Sequence, residues 1–322
     1  MDKPIGGYFE LELPHNHKTF PHSDGVLLNS GRHSLEYILR SLGEIKHLWI
    51  PYFTCDVVMQ PINLLQVPYS YYRIKQDLTI AEDIVLSEGE YILYTNYYGI
   101  MDAYCKSLAK TYGHHLIIDN AQALYAGHYE SILTFYSPRK FVGLPDGGIA
   151  YINNEYKTVL PTDLSYDRCS HLLKRHDLNP SEGYHDFRDN AHKITESAMS
   201  EMSNLTETLL SSIDYEYIRD QRIKNFKYLH QHLSSTNGLQ MPLPDSFECP
   251  MIYPYLAMDS GLKKHLIANQ VFVATYWPNV LEWCKPGDTE YELTTHIMAL
   301  PIDQRYGKDD MDRILEIIKL WK

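Results

Sequence analysis

Three short segments hold residues whose types and order could do chemistry. In "LNSGRHSLEYIL" a Ser-Gly pair opens an amphipathic helix. The unpaired N–H groups of a helix start, together with the helix dipole, make an anion site. Ser30 can add a hydroxyl there and Arg32 a bidentate cation, although Ser30 also reads as an ordinary N-cap. In "LIIDNAQALY" Asp119 ends a strongly apolar strand. A carboxylate at the carboxyl end of a parallel strand points into the ligand crevice. Its burial is costly without a cationic or donor partner; the plainer reading is a cap on the following helix. In "SPRKFVGLPDGG" Lys140 follows the apolar run "SILTFYS" and precedes a tight turn at Pro145-Asp146-Gly147-Gly148 and a returning strand, "GGIAYIN". A lone lysine in such a loop is most often simply exposed.

Taken together and in this order, the three segments suit pyridoxal 5′-phosphate. Its phosphate needs a helix N-terminus, its pyridine nitrogen an acid that keeps it protonated, and its aldehyde an amine. An amine desolvated in a pocket has a lowered pKa and is nucleophilic near neutral pH, and that is the expectation for Lys140.

The elements that must position these groups alternate in type. "SLEYILRSLG" has helical spacing and ends on Gly43, a good C-cap. "HLWIPYF" reads as a buried strand, "DVVMQPINLLQ" as a helix broken or kinked at Pro61, and "EYILYTNYYG" as a strand. "MDAYCKSLAKTYG" reads as a helix ending on Gly113, and "HHLIIDNAQ", "SILTFYS" and "GGIAYIN" as strands. Strands alternating with helices imply an α/β fold with a mainly parallel sheet flanked by helices. Residues 160–195 are polar and irregular. The stretch from "ITESAMSEM" to "HQHLSS" reads as two helices or one kinked helix. "MIYPYLAM", "VFVATYW" and "HIMALPI" read as strands, "GLKKHLIANQ" and "KDDMDRILEIIKLW" as helices, giving a smaller α+β unit. The 322 residues exceed the size at which one core usually stops growing, so two domains are expected, 1–215 and 216–322.

Composition narrows the function classes. A net charge of −12 argues against a nucleic-acid surface, while leaving room for one small basic pocket. The five cysteines are scattered and lack CxxC spacing, so neither a zinc site nor a disulfide framework is implied. The N-terminal segment lacks an apolar signal-peptide core, and no apolar run nears the ~20 residues that span a bilayer. A cytoplasmic protein without a membrane anchor is the expectation.

The order and local sequences resemble the DegT/DnrJ family of pyridoxal-phosphate sugar aminotransferases, which have the aspartate-aminotransferase (type I) fold. "SGRHSL" resembles the family's Ser-Gly-Thr phosphate loop, "IPYFT" its Pro-x-x-Thr segment, and "YTNYYG" its strand ending in an aromatic or hydrophobic residue and Gly. "IIDNAQA" is similar to the Asp-x-Ala-Gln segment, and "SPRKFVGLPDGG" to the Ser-x-x-Lys segment with its later acidic-Gly-Gly. "VFVATYWP" and "MALPIDQRYGKDDMDRILEII" resemble the final elements of the small domain, so the likeness runs over nearly the whole chain.

The resemblance implies roles. Lys140 is the amine that bonds the cofactor's aldehyde and then moves a proton between the substrate α-carbon and the cofactor's C4′. Asp119 pairs with the pyridinium nitrogen, and Gln122 bonds near the ring's 3′-oxygen. Ser30, Gly31 and Ser137 hold the phosphate. Arg32 stands where the family has a small Thr; it neutralises the phosphate or swings out. Cys55 stands where the family often has an aromatic over the ring, so Tyr52, Phe53 or Tyr98 substitutes. Arg139, beside the lysine, is atypical of the family. The implied reaction moves an amino group from an amino-acid donor to a keto-sugar, nucleotide-linked, in surface polysaccharide or amino-sugar synthesis. The implied assembly is a homodimer with partner residues in each site, for which Ser203 and Asn204 are candidates.

Two other readings remain. One keeps the cofactor for elimination or dehydration; family dehydratases replace the lysine with histidine, so Lys140 counts against it. The other is a binding or regulatory protein without turnover, which missing substrate elements at 160–195 would favour. His15 and His17 offer a metal pair only on an extended segment, and a solvated segment is the plainer reading. The tyrosine clusters "YSYYR" and "TNYYG" suit β-propensity and half-buried packing. Tyr276, Trp277 and Pro278 sit at a strand end, where they line a substrate entrance or pack in a core.

Overall fold

A computed structural model of the chain describes residues 5–14, 20–153, 156, 158–242 and 245–321. The histidine pair His15 and His17 lies outside the described residues.

The order begins β1 (Val26–Leu28), α1 (Gly31–Leu42), β2 (His47–Pro51), α2 (Met59–Leu64), β3 (Tyr69–Tyr72) and β4 (Glu90–Thr95). It continues α3 (Asp102–Tyr112), β5 (Leu116–Asn120), β6 (Leu133–Tyr136) and β7 (Gly148–Tyr151). These strands form one seven-stranded sheet in the order β1-β7-β6-β5-β4-β2-β3. The run from β6 to β3 is parallel, and β7 returns antiparallel between β6 and β1. Every residue of β5 is buried, as a central parallel strand covered on both faces should be. That explains the unbroken apolar run ahead of Asp119.

Helix α1 forms because Leu35, Ile38 and Leu39 recur at helical spacing and are fully buried. Each such side chain contributes about 1.5–3 kcal/mol by leaving water. Ser30 caps its start, accepting from the His33 N–H, and Gly43 at φ 70° ends it. Helix α3 stops at Gly113, φ 53°, as its sequence implies.

The remaining elements are α4 (Ser170–Asp177), α5 (Tyr184–Glu196), α6 (Asn204–Ser211), α7 (Tyr215–Leu233), β8 (Tyr253–Leu256), α8 (Ser260–Ala268), α9 (Val280–Trp283), α10 (Thr289–His296), β9 (Ile297–Leu300) and α11 (Lys308–Leu320). Strands β8 and β9 pair antiparallel in a second sheet, against which α7 packs.

Two expectations need correction, and a third is resolved. Residues 160–195 are not irregular: α4 and α5 lie there, with one buried face each at His171 and at Asn190 and Ile194. Their sparse apolar positions hid the helical period. The "VFVATYW" segment is no strand. It makes one isolated bridge, Ala274 to Ala299, and turns at Trp277 with φ 58°. Two-residue alternation alone does not supply a ladder partner. Of the two readings of the long helical stretch, two helices holds: α6 and α7, with its first residues in α5.

Candidate active site

The sheet gathers the predicted residues at one edge. Register pairs Thr95 with Asp119 and Asn120 with Tyr136, so the carboxyl ends of β4, β5 and β6 lie side by side. Ser137 follows β6 directly, and a short 3-10 turn, Pro138–Lys140, carries the lysine. The start of α1 joins the same edge through the bridge between Ser30 and Gly147. The approach there is tight. A Cβ on Gly148 would sit 2.2 Å from the carbonyl carbon and oxygen of Ser30, and one on Gly31 would sit 3.2 Å from the Ser137 Cβ.

An oxyanion cup results. The first helical N–H groups, those of Gly31 and Arg32, have no acceptor within the helix. The Ser137 hydroxyl lies beside them, 3.6 Å from the position of a Gly31 Cβ. Ser30 contributes less than expected, because its Oγ lies 2.9 Å from His33 Nδ1 and caps the helix. Burial, then the Arg32 charge, pushes the His33 pKa down to about 4, so its imidazole is neutral at pH 7. The Arg32 guanidinium is also engaged: its Nη1 donates to Gln60 Oε1 at 2.6 Å. What Arg32 offers the cup is its backbone N–H.

Asp119 is buried, and its Oδ1 accepts from the Ala121 N–H at 2.8 Å. Burial raises its pKa, while the Lys140 charge and that hydrogen bond lower it. The carboxylate and the ammonium therefore act on one another across the loop. Several buried polar atoms near this edge have no hydrogen-bond partner: Thr54 Oγ1, Thr95 Oγ1, Tyr97 Oη and Gln122 Nε2. Tyr97 lies close enough for the Asp119 charge to raise its pKa, behind the larger effects of burial, Tyr98 and Glu290. Unpaired buried donors are rare. Thr95 pairs in register with Asp119, and Gln122 follows it three residues on.

Gln122 and Tyr98 are locked together. The Tyr98 N–H donates to Gln122 Oε1 at 2.8 Å, and the Tyr98 carbonyl accepts from the Met251 N–H at 2.8 Å. These bonds hold Tyr98 at φ 56°, a left-handed conformation that a tyrosine adopts only when over-determined. Gly99 follows at φ 68°, where a Cβ would lie 2.7 Å from the Gln122 carbonyl. With Oε1 fixed, the Gln122 side chain keeps its Nε2 amide free. The Tyr98 ring lies 5.9 Å from that of Tyr276 and 6.3 Å from that of Trp277. Tyr52 is stacked on Tyr71, and Phe53 packs edge-on against Trp277; both rings are committed to packing.

Lys140 departs from its expectation. It is exposed, not desolvated, because the turn lifts it to the rim of a cavity of about 740 Å3. Its charge still lowers the pKa of the Cys55 thiol, which burial raises, so Cys55 and Asp119 both lie within electrostatic reach of Lys140. Ser203 is occupied inside its own chain: its N–H and Oγ both donate to the fully buried Asp146 at 3.0 Å. This is what the Asp-Gly-Gly turn does, tying the Lys140 loop to the start of α6. Asn204 is exposed.

Arg139, His171 and Arg175 line the cavity beside Lys140 and were not among the expected site residues. Only the unusual arginine beside the lysine hinted at them. Among the described residues no group of His, Cys, Asp and Glu could hold a metal ion, and no helix is long and apolar enough to cross a membrane.

No protein-family model and no curated protein matches this sequence. Solved structures do resemble it. DesV of S. venezuelae, in complex with a ketimine intermediate, is 15% identical, with a TM-score of 0.63 over 92% of this chain and 84% of that one. A DegT DnrJ EryC1 StrS aminotransferase from Brucella abortus is 14% identical, with a TM-score of 0.59 over 92% and 85%. NtdA from Bacillus subtilis, with bound cofactor PMP, is 14% identical, with a TM-score of 0.62 over 92% and 72%. At these identities the likeness is one of fold: the seven-stranded sheet with its flanking helices is that of these aminotransferases.

Proposed function

We propose that this protein is a pyridoxal-phosphate aminotransferase that moves an amino group from an amino acid to a keto-sugar. The observation that carries the reading is the site around Asp119: a buried strand-end carboxylate in electrostatic contact with Lys140, beside the unpaired Gln122 Nε2. The residues present fit the cofactor. The N–H groups of Gly31 and Arg32 and the Ser137 hydroxyl suit its phosphate, Asp119 its ring nitrogen, and Gln122 Nε2 its phenolic oxygen. When bound, pyridoxal phosphate supplies an electron sink for charge at the substrate's α-carbon. Asp119 would keep the ring nitrogen protonated. Lys140, exposed beside the cavity, would take the proton from the substrate's α-carbon and return it at the cofactor's C4′.

The finer reading is a nucleotide-linked sugar as acceptor, in surface polysaccharide or amino-sugar synthesis, by a cytoplasmic homodimer. Residues 1–215 form the cofactor-binding unit of this reading and 216–322 the second unit. Its support is the fold and the sequence resemblance. The deciding experiment adds pyridoxal phosphate to purified protein. A visible absorption band is expected, and borohydride should abolish it while fixing the cofactor to Lys140. Glutamate or another amino donor should bleach the band. The same band and the same fixed adduct in Lys140→Ala would refute the assignment.

A further inference from the structure

The 740 Å3 cavity beside Lys140 is strongly basic. Arg139, Lys140, His171 and Arg175 line it, with Asp303 as the one carboxylate among the described lining residues. Asp303 is already taken, since Arg305 Nε donates to it at 2.6 Å. Arg222 is taken as well, donating to the carbonyls of Met251 and Phe141. Arg139 differs. Its Nε is buried without a partner, and among the described residues nothing forms a hydrogen bond or ion pair with its guanidinium. Desolvation weighs most on its charge; the Asp146 carboxylate offsets part of that without bonding it, and the charges of Arg168 and Arg32 oppose it. Arg168 has Asp163 at 2.6 Å and Arg32 has Gln60, so Arg139 alone of the three is left over. Arg175 is exposed on α4 at the same cavity.

A half-buried guanidinium at a cavity wall, with its Nε buried and unpaired, is unfavourable unless an anion completes it. A planar fork of donors matches an oxyanion bidentately. The cavity is not the oxyanion cup, because Ser30, Gly31 and Ser137 do not line it. We infer that Arg139, supported by Arg175, binds an oxyanionic group of the substrate in the cavity next to Lys140. The inference rests on the aminotransferase reading for the word substrate, but not for the anion site itself. The group is a phosphoryl or a carboxylate, since both present the same paired oxygens.

The test is calorimetric titration of two probes, inorganic pyrophosphate and 2-oxoglutarate. It uses full-length protein loaded with pyridoxal phosphate and reduced with borohydride, so that the cup is filled. At least one probe should bind, and Arg139→Gln should weaken it about tenfold or more, the effect of losing a charge-assisted pair. Arg175→Gln, at an exposed position, should weaken it severalfold and keeps the test valid if Arg139→Gln folds poorly. Arg313→Gln, whose guanidinium bonds the Asn269 carbonyl, should leave binding unchanged. Pyrophosphate binding points to a phosphorylated acceptor, 2-oxoglutarate binding to a dicarboxylate donor. Three results overturn the inference: neither probe binds; the Arg139 and Arg175 variants bind like Arg313→Gln; or Arg139→Gln loses cofactor loading while anion binding persists. If no cofactor loads on the wild-type protein, the aminotransferase reading fails, and the same titration on unloaded protein still decides the anion site.

Discussion

Gly148→Ala tests how the site is held together. A Cβ at Gly148 would lie 2.2 Å from the Ser30 carbonyl carbon and oxygen and 2.5 Å from Ser34 Oγ. The Ser34 hydroxyl can rotate away, but the Ser30 backbone cannot. Restoring van der Waals contact requires α1 and β7 to separate by roughly 1 Å. Overpacking of this kind costs about 1–3 kcal/mol. The separation also opens the cup, because the bridge from Ser30 to Gly147 and the approach of Gly31 to Ser137 lie on the same seam. A displacement of that size in a positioning group costs about 100-fold in function. Urea unfolding should show the stability loss, and cofactor titration should show weaker binding by at least about tenfold. Gly127→Ala is the control, since its Cβ would meet nothing within 4 Å and its backbone needs no positive φ; it should stay within about 0.5 kcal/mol of wild type. If Gly148→Ala matches that control in both stability and cofactor affinity, the seam does not hold the cup together and the steric argument fails.

Two further predictions concern buried charge. Asp119→Asn removes a carboxylate whose burial raises its pKa; the variant should stay folded, yet donor-driven bleaching of the cofactor band should slow by about 100-fold or more. Stopped-flow absorbance measures this, and an unchanged rate would remove Asp119 from its role. His33 is neutral in the fold, its pKa down at about 4 against 6.5. Below the unfolded value the unfolded chain therefore binds more protons, so stability is full above about pH 6.5 and falls as pH drops toward 4. The loss assignable to His33 is on the order of 1–3 kcal/mol. Comparing urea midpoints of wild type and His33→Gln across that window should show a flatter profile in the variant; parallel profiles would exclude His33 as the source.

The sequence by itself determined the parts with local causes. Ser30 and Gly43 bracket α1 because capping is decided within a few residues. The apolar run ending in Asp119 had to be a strand buried on both faces. The order of cup, carboxylate and lysine marked one crevice because parallel strands bring their carboxyl ends to one edge. The tertiary structure decided everything that depends on contacts distant in sequence. The period of α4 and α5 was illegible because each buries only one or two residues. "VFVATYW" had strand composition but no partner to pair with. Arg32 was free for the phosphate until Gln60, 28 residues away, claimed its guanidinium. Ser203 was free for a neighbouring subunit until Asp146, 57 residues away, took both its donors. Lys140 is exposed where sequence order implied a desolvated amine, because a single 3-10 turn sets which way the loop presents it. Arg139 is unpaired for the converse reason: its neighbours' carboxylates and amides are spent elsewhere, and no local pattern records where a partner's hydrogen bonds have gone.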